Sequence, residues 1–254
     1  MNKKPLIFSL AVLGVLTILG ANGDLRAKQK YSDFTTVTPL AEGEWLIIGF
    51  PGGREKWNNP EQIVVRLAGR MRARNLRGTH IEVVENKHRK LAIELVRNAL
   101  DRNRNGQLEP EERNSARVIL YGQSMGGAAV VKAARELDAL GVPVQLTVQI
   151  DSVGVGDGRI PANVARAANL YQSNGLIIRG EKEIRAEDPE RTEILGNFKY
   201  DYKQRKIELP RTAHVKWYKR MFWTAHTQME YDPEVWEKTE GLILAETNRE
   251  VRKQ

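Results

Sequence analysis

Cysteine is missing altogether from the 254 residues. Its absence excludes a disulfide framework, a lipid-modified cysteine and a thiol nucleophile, so a chain of this kind outside the cytoplasm must rely on its core or on a bound ion. Histidine is scarce, which confines imidazole chemistry to His80, His88, His214 and His226. Internal repeats and low-complexity tracts are also lacking, and with them any case for a solenoid or fibrous architecture. The basic residues form no stripe with interleaved aromatics and match no nucleic-acid-binding motif, so a nucleic-acid partner is not expected despite the formal charge of +8. That charge reads as a solvated basic surface, with peripheral contact to an anionic membrane as its next use.

What is present begins with a leader. Met1-Asn2-Lys3-Lys4 precedes an uncharged stretch from Pro5 to Gly23, the layout of a basic region followed by an apolar one. Ala21, Gly23 or Ala27 would serve a signal peptidase, while the almost spanning length of the stretch also suits an uncleaved anchor. The expectation is residues 1–27 as signal peptide or anchor, residues 28–254 as a single domain, and a periplasmic or secreted location. Losing Lys3 and Lys4 with the leader takes two charges off the formal +8. A hydrophobic content of 41% against 28% charged residues suits one sizeable core.

Strand and helix signals then alternate. Trp45 to Phe50 is a short apolar run entering the turn Pro51-Gly52-Gly53. Asn59 and Pro60 are placed to cap and start a helix carrying Ile63, Val64, Leu67 and Met71 at helical spacing. His80 to Val84 reads as a strand, Leu91 to Leu100 as a helix, Val118 to Tyr121 as a strand, Gly127 to Leu140 as a helix, and Val144 to Ile150 as a strand. Leu176 to Ile178 follows as a further strand. This order predicts an α/β fold with a mostly parallel central sheet and helices on both faces, with chemistry at the carboxyl ends of the strands.

Ser124 stands between strand and helix in Gly122-Gln123-Ser124-Met125-Gly126, the context that separates a nucleophile elbow from a chance Gly-x-Ser-x-Gly. The turn needs small residues beside the serine, and the following helix turns its amides and positive dipole end toward developing negative charge. A second oxyanion donor is expected from Gly49-Phe50-Pro51-Gly52-Gly53, giving the backbone amides of Phe50 and Met125 as the pair. In this fold the triad runs serine, acid, histidine, which leaves His214 and His226 as bases. His226 is preferred, because it is read on a loop just before the last helix, where Asp232 caps and Pro233 begins. Asp151, at the end of an uncharged strand, is the favoured acid; Asp188 is the alternative, with Glu181 and Glu187 nearby, although Asp188-Pro189 also reads as a helix start.

Asp101 to Glu112 fits the twelve-residue EF-hand loop at its diagnostic positions. Asp101, Asn103, Asn105, Gln107, Glu109 and Glu112 are the candidate ligands, and Gly106 sits at the sharp turn. The neutral asparagines and the cationic Arg102 and Arg104 predict extracellular-type affinity, on the order of 0.1 to 1 mM, and a structural Ca2+ rather than a catalytic one. No organic cofactor is expected.

Over Glu44 to Ile243 the chain resembles bacterial α/β-hydrolases, thioesterase- or lipase-like, that carry an EF-hand-type loop before the nucleophile elbow. The motifs carrying the likeness are Gly49 to Gly53, the calcium-like loop, Tyr121 to Gly127, Gln149 to Val153, Ile160 to Val164, and His226 ahead of Asp232-Pro233-Glu234-Val235-Trp236. The short interval from Ser124 to Asp151 is similar to that of thioesterase domains, which supports Asp151 as the acid. Gln123, where many relatives have histidine, and the leader place esterase or lipase chemistry ahead of thioester cleavage. The resemblance implies an α/β-hydrolase fold and a small-molecule or lipid ester substrate. Beside it stands a non-catalytic calcium-binding envelope protein that keeps the hydrolase fold, and a peptidase or haloperoxidase-like activity on the same three residues.

Overall fold

A computed structural model describes residues 27–174, 180–205, 207–208 and 224–251. The leader at 1–26, the strand expected at 176–178, His214 and the aromatic residues Trp217, Tyr218, Phe222 and Trp223 lie outside the described residues. The elements run β1 (Trp45–Phe50), α1 (Ile63–Ala73), β2 (Thr79–Val83), α2 (Arg89–Leu100), α3 (Pro110–Asn114), β3 (Val118–Gln123) and α4 (Met125–Asp138). There follow β4 (Val144–Ile150), β5 (Arg159–Ile160), β6 (Val164–Gln172), β7 (Arg185–Ala186), β8 (Glu193–Tyr200), α5 (Ala225–Tyr231) and α6 (Pro233–Val251). Six strands form one sheet in the order β2-β1-β3-β4-β6-β8, every neighbouring pair parallel. β5 and β7 pair separately.

Strand side chains alternate between faces, and that alternation divides the core in two. Leu46, Ile48 and Phe50 of β1 join Val118 and Leu120 of β3 under α2 and α4, through Leu95, Val96, Val130 and Leu137. The intervening Ile47, Ile119 and Tyr121 face the other way, with Val64, Leu67 and Met71 of α1 and Trp236 and Ile243 of α6. Burial on both faces explains why the central strands read as apolar runs. The architecture is that of an α/β-hydrolase fold, with helices on both faces of a parallel sheet. Among the described residues no helix is long and apolar enough to cross a membrane.

Two local expectations need correction. α1 does not start at Pro60: its cap is Gln62, whose buried carboxamide oxygen accepts from the amides of Val64 (2.7 Å) and Val65 (3.1 Å). Asn59 closes a preceding turn instead, with Oδ1 accepting from Glu61 and its carbonyl from Gln62. The strands β6 and β8 were not anticipated. β6 carries Arg166, Asn169 and Gln172, which turn to partners within the protein rather than to water: Arg166 pairs with Glu246 of α6, the Asn169 amide donates to the Glu181 carbonyl at 2.8 Å, and the Gln172 amide donates to Asp151 at 3.1 Å.

Among the residues that anchor α6 is Trp236, which is 1% exposed and donates Nε1 to the Glu230 carbonyl at 2.9 Å. Trp236→Ala is expected to cost about 3–5 kcal/mol in denaturant unfolding; a loss under about 1 kcal/mol would show that the helix does not depend on this contact.

Candidate active site

The backbone at Ser124 has φ 57° and ψ −124°, between the end of β3 and the start of α4. A residue with a Cβ holds such a conformation at a cost on the order of 1–3 kcal/mol, so the surroundings must enforce it. Ser124 N–H donates to the Ile150 carbonyl at 2.9 Å, and its carbonyl accepts from Gly127 at 2.9 Å and Val153 at 3.1 Å. Two glycines make the approach feasible. A Cβ on Gly122 would run into the Gly126 carbonyl, and one on Gly126 would lie on the Phe50 carbonyl and 2.9 Å from that of Pro51.

β3 and β4 pair with Gln123 opposite Ile150, so Ser124 and Asp151 leave the sheet side by side at its carboxyl edge. Asp151 is fully buried, has φ 44°, and donates its amide to the Leu170 carbonyl at 2.7 Å. Its Oδ2 lies 2.5 Å from Nδ1 of His226, whose side chain is 13% exposed. Gln172, at the end of β6, adds its backbone amide to Oδ1 (3.3 Å) and its side-chain amide to Oδ2 (3.1 Å). A carboxylate taken wholly out of water would cost several kcal/mol without such partners. With Nδ1–H directed at the carboxylate, Nε2 of the neutral imidazole remains an acceptor.

His226 is not on a loop. It occupies the first turn of α5, a short helix with Thr224 as cap, the threonine hydroxyl accepting from the Thr227 amide at 3.4 Å. The expected boundary after it is present: Asp232 accepts from the Glu234 amide at 3.1 Å as α6 begins. Asp188 does not start a helix; its Oδ1 and carbonyl close a turn onto Glu190 and Thr192, and Glu187 pairs with Arg135 at 2.7 Å. Among the described residues the carboxylate beside His226 is that of Asp151.

Phe50 ends β1 with a fully buried side chain, and Met125 opens α4 with its side chain half exposed. The turn after β1 touches the elbow directly: a Cβ on Gly52 would come within 3.0 Å of both the Gln123 carbonyl and the Ser124 Cβ. Three residues that sequence reasoning missed complete this edge. Gln172 holds Asp151, and the pair Glu85-Asn86 follows β2. Asn86 Nδ2 donates to the carbonyls of Pro51 (2.9 Å) and Gly53 (2.6 Å). Position after a strand's carboxyl end was the available signal for Glu85 and Asn86; Gln172 sits on a strand whose pattern gave none.

The loop Asp101–Glu112 is organised by its own acceptors. Asp101 takes the amides of Asn105 (3.1 Å) and Gly106 (2.9 Å), and Asn103 and Asn105 accept from Asn105 and Gln107 at 3.0 and 2.8 Å. Arg104 and Gly106 adopt positive φ. Glu112, buried, accepts from the amides of Arg102 (2.8 Å) and Glu109 (3.1 Å), while Glu109 takes the side-chain amides of Asn103 and Asn105. Among the described residues no three or more His, Cys, Asp or Glu side chains gather as a metal cluster. The loop offers oxygen donors in an EF-hand order, with amide and backbone oxygens needed beside the carboxylates of Asp101, Glu109 and Glu112.

No family model and no curated protein sequence matches the chain. Among solved structures it is similar to one titled "A novel cutinase-like protein from Cryptococcus sp.", at 16% identity and a TM-score of 0.44, over 83% of this chain and 98% of that one.

Proposed function

We propose that this chain is a serine hydrolase that cleaves a carboxylic ester through an acyl-enzyme, with esterase or lipase-like specificity. The observation that carries the reading is the buried Asp151 held on Nδ1 of His226 at the sheet edge where Ser124 stands in a strained turn. Ser124 Oγ attacks the ester carbonyl while His226 Nε2 takes its proton, and Asp151 keeps the imidazole in the productive tautomer and stabilises the imidazolium. The amide of Met125, in the first turn of α4, is assigned to the tetrahedral oxyanion, with the helix dipole adding to the effect; the Phe50 amide, at a position paired with Gly122 in the β1–β3 ladder, would have to leave that ladder to serve as the second donor. The imidazolium then protonates the departing alkoxide, and water, activated by the same histidine, releases the acid.

The loop Asp101–Glu112 is proposed to take Ca2+ through oxygens of Asp101, Asn103, Asn105, Glu109 and Glu112 and the Gln107 carbonyl. Those donors are hard oxygens, and positive φ at Gly106 gives the sharp turn that such loops need. The ion would brace the segment between α2 and β3 and take no part in the chemistry.

Hydrolysis of p-nitrophenyl esters from short to long chain tests the reaction. Ser124→Ala is expected to lower kcat by about 10⁴-fold or more and Asp151→Asn by about 10³–10⁴-fold, both remaining folded. A wild-type protein that neither turns over esters nor reacts with a fluorophosphonate at Ser124 would favour a binding role. Thermal unfolding in millimolar calcium against chelator tests the loop. The expected result is a higher Tm with calcium, abolished in Asp101→Ala, with low-temperature activity little changed; equal Tm values in both buffers would rule the ion out.

A further inference from the structure

The turn after β2 makes more contacts with the β1 exit than a connection requires. Asn86 is 8% exposed, and its side-chain amide bridges two carbonyls of the same short turn, those of Pro51 and Gly53. Beside it, Glu85 is 1% exposed, with Lys87 Nζ at 3.1 Å, Lys56 Nζ at 3.3 Å and His88 Nδ1 at 3.5 Å. Lys56 belongs to the segment following Gly53, so the β1 exit is held on both sides of its glycines. The turn itself is fixed to the body of the protein, because Gln29 accepts from the Glu85 amide (3.0 Å) and donates to the Val83 carbonyl (2.8 Å). Burial holds His88 below its ordinary range, with Glu85 pulling the other way, so near neutral pH the charge facing Glu85 comes from the two lysines.

The β1 exit is also the stretch whose carbonyls pack over Gly126 and whose Gly52 lies against Ser124. A peptide unit there presents either its N–H or its C=O to the serine, and only the N–H stabilises a developing oxyanion. We propose that Asn86 is a positioning residue for this reaction: by binding the Pro51 and Gly53 carbonyls it keeps them turned away from Ser124 and fixes the turn that follows Phe50 and lies against the elbow. Lys56 and Glu85 hold the same loop from its far end. This assignment rests on the hydrolase reading given above.

Asn86→Asp keeps the shape, removes both donors and sets a carboxylate against two carbonyls; Asn86→Ala removes the donors without adding charge. In a protein whose esterase activity depends on Ser124, each is expected to lower kcat by about 10²-fold, the scale set by losing one oxyanion donor or by misplacing the geometry by about 1 Å, with KM within about threefold. Hydrogen exchange at the amides of Gly52, Gly53 and Arg54 should quicken in both variants while the bulk of the sheet stays protected. An unchanged kcat, or a loss of kcat no larger than the loss of folded protein, would overturn the proposal. If the wild type proves inactive the hydrolase reading fails first, and the clamp is then judged by exchange alone: faster exchange upholds the loop-fixing contact, and unchanged exchange removes it.

Discussion

The strained backbone at Ser124 is tolerable only where the chain around it leaves no cheaper path, and most of the molecule's middle contributes to that condition. Three hydrogen bonds hold the residue, two of them to segments on either side of Asp151. At about 0.5–1.5 kcal/mol each they are of the size needed to offset a strain of about 1–3 kcal/mol. The same compression brings the carbonyls of Phe50 and Pro51 down onto Gly126, so the position of the β1 exit is dictated by the elbow. A shift of one residue in the pairing of β3 with β4 would separate Ser124 from Asp151 and turn the alternating side chains of a whole strand to the wrong face. Core packing and site geometry thus depend on one register.

Glu85 and Asp151 are both buried carboxylates at this edge and are handled differently. Glu85, after β2, has two lysines within 3.3 Å, so its charge is countered locally and it serves to hold chain segments together. Asp151, after β4, has no lysine or arginine paired with it among the described residues; its partners are an imidazole and the amides of Gln172. A carboxylate compensated by permanent cations would gain little from a passing imidazolium. One compensated by neutral donors retains most of its field for such a partner, as the proposed reaction requires. The distinction separates Asp151 from Glu85 on physical grounds, although both are acidic and buried.

Elements with strong apolar patterns were legible in the sequence: β1, β3, β4 and α4 lie where the runs and the Gly-x-Ser-x-Gly context put them, and Asp151 beside His226 is the pair suggested by the order serine, acid, histidine and by the position of each residue next to its element. What was not legible depended on contacts distant along the chain. β6 carries polar residues whose partners lie on α6, on the segment after Gly180 and on Asp151 itself, so it lacks the apolar signature of a buried strand. Gln62 as a cap runs against the usual preference for short side chains, although its carboxamide oxygen takes two amides of the first turn. His226 reads as a loop residue because Asp232-Pro233 is the stronger start signal; the weaker Thr224 cap begins a helix of its own one short segment earlier.

That extra helix bears on how the imidazole is held. A histidine on a loop would owe its orientation to the Asp151 contact alone, whereas α5 is fixed at both ends. Thr224 caps its start, and its far end meets α6 at a corner built on Asp232, which accepts from the Tyr202 hydroxyl at 2.9 Å and from Arg205 at 3.0 Å. Burial and the neighbouring Asp232 push the Tyr202 hydroxyl well above its ordinary range, so it stays a donor to Asp232. Trp236 reaches back from α6 to the Glu230 carbonyl, closing the corner from the other side. The chain leaving β8 therefore sets the angle of α5, and α5 presents Nδ1 to a carboxylate fixed by β4 and β6. Orientation of the imidazole is thus shared among three strands and two helices.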